Sequence, residues 1–194
     1  MKSRLTHYSL AIFFLLSGYT INRTVLANPP ITIAQSIWKQ FSSPKGKFSI
    51  LMPGTPKEEK QTVNTKAGTI QVHTFTVARQ QEEVQYTVSY IEYPAQYIEL
   101  LQRNNLVGTA LENGKNIAMK NSQGTLVSEK AISLGGYLGK EIHYTKPGDK
   151  IVKHRIYLVN RRLYQIIVET TKTREKHLTK SIAGFLSSFK LLNN

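Results

Sequence analysis

Tyr137-Leu-Gly-Lys-Glu-Ile-His-Tyr-Thr145, Ile151-Val-Lys-His-Arg-Ile-Tyr-Leu-Val159 and Leu163-Tyr-Gln-Ile-Ile-Val-Glu-Thr-Thr171 follow one another with only short breaks between them. Each run is rich in β-branched and aromatic residues, which suit a pleated surface. The breaks contain Lys-Pro-Gly-Asp and Asn-Arg-Arg, both turn-forming, so the three runs predict a β-meander. Register follows from the apolar pattern, because a one-residue slip turns every side chain to the other face. Pairing in which residue numbers sum to 295 would gather Glu141, His143 and His154 on one face, a set that could hold zinc or copper. It would also put Lys153 opposite Ile142, against the pattern. A sum of 296, with Pro147-Gly-Asp149 as a three-residue loop, groups Leu138, Ile142 and Tyr144 with Val152, Ile156 and Leu158. It sets Glu141 opposite Arg155, points His154 inward and His143 outward, and dissolves the metal cluster. No metal site is expected.

Working outward from the meander, Thr173 is placed to cap a final helix, with Glu175 in its first turn where the helix dipole favours an acid. Leu178, Ile182, Phe185, Leu186 and Phe189 recur on one face of that helix. On the N-terminal side, Leu126 to Leu134 reads as a strand that turns at Gly135-Gly136. Before it, Tyr97, Ile98, Leu101, Val107, Ala110 and Leu111 recur at helical spacing. Gly108 and Gly114 interrupt them, so one broken helix or two short ones are expected. Val84, Tyr86, Val88 and Tyr90 alternate as one face of a strand, as do Ile70 and Val72 in Thr69 to Val77. Phe48, Ile50 and Met52 form a short strand ending at Pro53-Gly54, and Lys57 to Lys66 reads as an edge strand or loop. Strands and helices are segregated rather than alternating, which predicts an α+β domain with helices covering an antiparallel sheet.

At the chain start Lys2 and Arg4 precede an unbroken apolar run, Leu10 to Leu16, and Val25-Leu26-Ala27 follows. A positive start, a short apolar core and a small-residue exit are the three parts of a secretory signal. The expected organisation is a signal at 1–27, a tail at 28–37 and one domain at 38–194. Cysteine is absent, which excludes disulfides, thiol catalysis and zinc–cysteine sites. The formal charge is +14, and the signal carries three basic residues and no acid, which leaves +11 for the exported part. Residues 57–100 hold four basic and six acidic residues, whereas residues 137–180 hold eleven basic and four acidic ones, so the charge favours one part of the chain.

Catalytic constellations are absent by pattern. Asp149 is the only aspartate and sits in a turn, and no G-x-S-x-G occurs. Glu58-Glu59 and Glu82-Glu83 are adjacent pairs, which a strand would turn to opposite sides. Neither a calcium loop nor a glycine-rich phosphate loop is present. No catalytic residue and no cofactor is expected. Eight tyrosines, from Tyr86 to Tyr164, fall mostly in strands and suit core packing, or a ring-lined groove. The basic stretch is the stronger lead. Lys150, Lys153 and Arg155 fall in one strand, Arg161 and Arg162 sit at a hairpin tip, and Lys172, Arg174, Lys176 and Lys180 follow.

Phe48-Ser-Ile-Leu-Met-Pro-Gly-Thr-Pro56 resembles the opening of PsbP-like domains, the extrinsic photosystem II protein family. Gly139-Lys-Glu-Ile-His-Tyr144, Arg162-Leu-Tyr-Gln-Ile-Ile167 and Phe185-Leu-Ser-Ser-Phe-Lys190 resemble later elements of that family, in the same order. The resemblance implies an α/β/α sandwich around a central antiparallel sheet, shared with DcrB-type periplasmic proteins and a Ran-binding nuclear transport factor. It also implies a non-enzymatic role on a membrane complex at a lumenal or periplasmic face. Together these readings predict an exported binding or assembly factor in the periplasm or thylakoid lumen. Its expected partner is a membrane protein complex or an anionic membrane surface, not nucleic acid. The expected contact residues are Lys153, Arg155, Arg161 and Arg162. The alternative is a small-ligand binder with a tyrosine-lined groove.

Overall fold

The computed structural model describes residues 37–65 and 68–192. The signal at 1–27 and nearly all of the tail at 28–37 lie outside the described residues. In chain order the elements are strands β1 (Lys39–Ser43), β2 (Phe48–Met52), β3 (Lys57–Thr65), β4 (Gly68–Arg79) and β5 (Val84–Glu92), helices α1 (Ala95–Arg103) and α2 (Val107–Ser122), strands β6 (Thr125–Leu134), β7 (Tyr137–Lys146), β8 (Lys150–Val159) and β9 (Arg162–Thr171), helix α3 (Lys172–Ser187), and strand β10 (Lys190–Leu191). Seven strands form one sheet in the order β3-β4-β5-β9-β8-β7-β6, every neighbour antiparallel. A mixed α+β domain with a large antiparallel sheet is therefore the observed class. The hairpin of β7 and β8 adopts the register summing to 296, with Glu141 opposite Arg155 and Ile142 opposite His154.

Period-two alternation in the central strands feeds two separate cores. Val84, Tyr86, Val88 and Tyr90 of β5 join Tyr164, Ile166 and Val168 of β9 against Leu178, Ile182 and Phe185 of α3. The other parity, including Ile91, Leu163 and Ile167, joins Ile98 and Leu101 of α1 and Ala110 and Leu111 of α2. Both faces of the inner strands are thus buried, which is why β9 reads as a nearly continuous apolar run. The outer strand β6 is mostly exposed. A bulge between Leu126 and Ser128 and the charges of Glu129 and Lys130 guard its open edge.

Two features depart from the pattern read above. Phe48, Ile50 and Met52 do lie on a strand, but it belongs to a second sheet of three strands in the order β1-β2-β10. Its third member is a two-residue strand after the last helix. Ser188 ties this sheet to α3: its Oγ accepts a hydrogen bond from the Leu51 N–H at 3.0 Å and donates one to the Phe185 carbonyl. The serine between two phenylalanines is thus a packing clasp. Second, α3 begins one residue after Thr171, which is its N-cap, and Thr173 already lies inside the helix. Helical backbone starts as soon as the strand ends, so no separate capping loop exists.

Gly139 shows how tight the β7–β8 contact is. A Cβ there would lie 2.4 Å from Tyr157 Cδ1 and 2.6 Å from the Ile156 carbonyl oxygen. Backbone cannot yield cheaply, so Gly139→Ala is expected to cost roughly 1–3 kcal/mol, as overpacking does. Urea unfolding measures it; an unchanged midpoint would show that the hairpin opens without strain.

Candidate functional site

The basic stretch folds into three places rather than one. On β8, Lys153 and Arg155 are two residues apart and face α3. Lys153 Nζ lies 2.9 Å from Glu175 of α3. Arg155 bonds to Glu141 across the hairpin and donates from Nη1 to the Leu186 carbonyl at 2.9 Å. Lys130 of β6 reaches the same Glu141 at 2.8 Å. Burial raises the Glu141 pKa, but hydrogen bonds from Lys130 and Arg155 outweigh it and hold the carboxyl below its usual range. His143 sits beside this network, 3.8 Å from Glu175, and burial lowers its pKa against the pull of that carboxylate.

The second place is the β8–β9 turn. Arg161 and Arg162 both bond to Glu92 at the end of β5. Burial acts to raise the Glu92 pKa, and the two guanidinium hydrogen bonds reverse it. The turn lies at the far end of β8, about 13 Å or more along the strand from Arg155. The structure therefore brings Lys153 and Arg155 together, sets Arg161 and Arg162 apart from them, and gives all four a carboxylate. Lys153 is balanced by Glu175, but Arg161 and Arg162 share the one carboxylate of Glu92, and Arg155 and Lys130 that of Glu141, so each of these two groups keeps a net positive charge.

The third place is the outer face of α3. Leu178, Ile182, Phe185 and Leu186 turn inward. Lys172, Arg174, Lys176 and Lys180 are exposed on the other side. Lys172 pairs with Asp149 at 3.1 Å and Arg174 with Glu83 at 3.2 Å. Among the described residues neither Lys176 nor Lys180 forms an ion pair, and they stand one helical turn apart on the same face. Their spacing was legible; their lack of a carboxylate was not.

His154 is wholly buried, on the opposite face from Glu141 and His143. Burial pushes its pKa down to about 3, opposed by a hydrogen bond with Gln165. Among the described residues no three acidic or histidine side chains gather in a way that could hold a metal ion. Glu82 and Glu83 are used by Arg79 and Arg174, so that adjacent pair is structural. Six of the eight tyrosines are buried: Tyr86, Tyr90, Tyr93, Tyr144, Tyr157 and Tyr164. Tyr137 and the buried Tyr164 are among the residues lining a surface groove of about 510 Å³. One cluster escaped the pattern reading altogether. Lys115, nearly buried on α2, bonds to Glu112 and to Glu129 of β6, while Lys140 of β7 bonds to the same two carboxylates. Only the spacing of Glu112 and Lys115 hinted at it.

No protein-family model and no curated protein sequence matches the chain. Solved structures do. The solution structure of cyanobacterial PsbP from Synechocystis is similar over 84% of this chain and 98% of that chain, at 13% identity and a TM-score of 0.50. A protein of unknown function from Pseudomonas aeruginosa is similar over 81% of this chain and 97% of that one, at 10% identity and a TM-score of 0.37. The chain shares its fold with cyanobacterial PsbP. No helix among the described residues is long and apolar enough to cross a membrane.

Proposed function

We propose that the protein is an exported, non-enzymatic docking or assembly factor that binds a membrane protein complex through its basic side. The compartment would be the periplasm or the thylakoid lumen, and the complex a photosystem-related one. The observation that carries this reading is the outer face of α3, where Lys176 and Lys180 stand exposed and uncompensated. Lys153 and Arg155 beside α3, and Arg161 and Arg162 at the β8–β9 turn, are further contact residues in this reading, their guanidinium and ammonium groups exchanging an internal carboxylate for one on the partner. The two cores on either face of the seven-stranded sheet support reading the domain as an α/β/α sandwich, the arrangement the resemblance to PsbP-like domains implies. Fold alone does not assign a role; the charge asymmetry and the likeness to cyanobacterial PsbP point the same way.

Exposed charges attract weakly at long range and are screened by salt over roughly 8–10 Å at physiological strength. Membranes from native cells, washed with rising salt, should hold the protein at low salt and release it at high salt. The double variant Lys176→Glu and Lys180→Glu should elute at clearly lower salt while its circular dichroism is unchanged. A protein recovered free in solution at every salt concentration would remove the docking model. Equal retention of the double variant would move the contact to the flanking paired residues.

A further inference from the structure

The seven-stranded sheet ends at β3 on one side and at β6 on the other, and the two edges differ. β3 opens with the charged run Lys57 to Lys60, which resists pairing with another strand. On β6 the bulge lies near the start, and Ser128 to Leu134 then pair with β7 in unbroken register. The turn that follows fixes which backbone groups face out. Gly135 and Gly136 have φ of 56° and 84°, which makes a two-residue type I′ turn flanked by the hydrogen-bonded pair Leu134 and Tyr137. Alternation from that pair turns the N–H and C=O groups of Leu134, Ile132 and Lys130 toward β7. Those of Ser133, Ala131 and Glu129 point outward, and among the described residues they bond to no other part of the chain.

The side chains on either face give this edge its chemistry. On the α3 side stand Lys130, Ile132 and Leu134, the last two half-buried against the main core. Lys130 is 62% exposed and bonds to Glu141 at 2.8 Å. Arg155 shares that carboxylate, so the group keeps a net positive charge beside the edge. On the α2 side Ala131 and Ser133 are small and exposed. Glu129 lies there too, held by Lys115 and Lys140. The charges that guard β6 against chance pairing thus point to the faces of the sheet, and they leave the edge selective rather than closed.

We infer that the edge from Ser128 to Leu134 accepts an antiparallel strand of a partner protein, one with an acid opposite Lys130 and apolar residues opposite Ile132 and Leu134. Every neighbouring pair in this sheet is antiparallel, and the added strand continues that pattern. The residues opposite Lys130, Ile132 and Leu134 fall in non-hydrogen-bonded pairs, where side chains approach most closely. The partner's backbone supplies affinity, and these alternate positions supply selection. The site is separate from the outer face of α3 and owes nothing to the docking proposal.

The test uses the protein purified from its native cells and the end-capped peptide Val-Thr-Val-Thr-Glu-Thr at millimolar concentration. Its glutamate meets Lys130 when its first valine meets Leu134. Three relatives serve as controls: one with lysine in place of the glutamate, one N-methylated at the valines and the glutamate, and one N-methylated at the threonines. Amide hydrogen exchange, read residue by residue, reports where a strand is added. The acidic peptide is expected to slow exchange at Glu129, Ala131 and Ser133 and nowhere on α3. The lysine peptide should bind about tenfold more weakly, the effect of one charged contact. Methyl groups on the valines and the glutamate should be tolerated, because those N–H groups face away from β6. Methyl groups on the threonines should abolish binding. Lys130→Glu should reverse the charge preference with unchanged circular dichroism, and the methylated pair decides the matter even if that variant fails to fold. Equal binding of the two methylated peptides would overturn the inference, as would equal binding of the acidic and lysine peptides. So would outward amides whose exchange the acidic peptide leaves unchanged. Protection that needs no peptide and grows with protein concentration would assign the edge to a second copy of this chain and overturn it too.

Discussion

Phe48→Ala is expected to cost roughly 3–5 kcal/mol, the range for removing a large aromatic side chain from a rigid core. Phe48 is fully buried on β2. Its ring centre lies 5.5 Å from that of Phe189, 5.8 Å from Phe75, 6.0 Å from Phe41 and 6.1 Å from Tyr164. One side chain thus joins β1, the main sheet and the segment after α3. The small sheet has little else to rely on, since β10 contributes only two residues and a hairpin alone is marginal in water. Gly46 is part of the same fit: a Cβ at that position would lie 2.7 Å from the Phe48 ring. Thermal unfolding should show a fall of about 10 °C or more for a domain of this size. Phe48→Leu should recover a large part of the loss, because volume matters more than aromaticity in such a site. A loss below about 1 kcal/mol for Phe48→Ala would mean that the small sheet collapses onto the cavity, and that Phe48 is not the clasp between the two sheets.

How much of this was legible in the chain depends on the range of the contact. The β7–β8 register was, because Ile142 and Tyr144 had to share a face with Val152 and Ile156, and only one pairing allows it. The same register placed Glu141 beside Arg155 and took His154 away from His143. The second sheet was not legible. Phe48, Ile50 and Met52 alternate in the same way whichever sheet receives them, and Lys190–Leu191 is too short to carry a period.

The charged groups divide along the same line. Lys176 and Lys180 reveal their shared face by helical spacing alone. The partners of Arg161 and Arg162 come from Glu92, some 70 positions away in the chain, and Lys153 finds Glu175 only once α3 folds back on the sheet. A count of basic residues therefore overstates the field of this surface, because most of its charge is neutralised by contacts that no local pattern encodes. The tyrosines follow suit: alternation predicts their burial, but a groove formed by two turns and a chain end is a property of the assembled domain.

The largest pH effect should come from His154. Its ordinary pKa is about 6.5, and in the fold burial lowers it to about 3. Above pH 6.5 the ring is neutral in both folded and unfolded states and stability is full. Between these values the unfolded chain takes up a proton that the folded one refuses. Stability must then fall as pH falls, by about 1.4 kcal/mol for each pH unit. Glu92, Glu112 and Glu141 act in a lower window, because their pKa values are held below the ordinary 4.5 and their contribution is lost only as pH drops through those values. The interval from pH 6.5 to 4.5 therefore isolates the histidines. His143 is the other one lowered, with Glu175, Lys153 and Glu141 as the charges acting on it. Urea unfolding across this interval should give a steep slope for the native protein, and His154→Gln should remove about 1.4 kcal/mol per pH unit of it whatever that change does to stability at pH 7. His143→Asn should remove less, since His143 is partly exposed and its neighbouring carboxylate opposes the shift. An unaltered slope in His154→Gln would mean that the His154 ring can be protonated within the fold, with water or the Gln165 side-chain oxygen accepting a hydrogen bond from it.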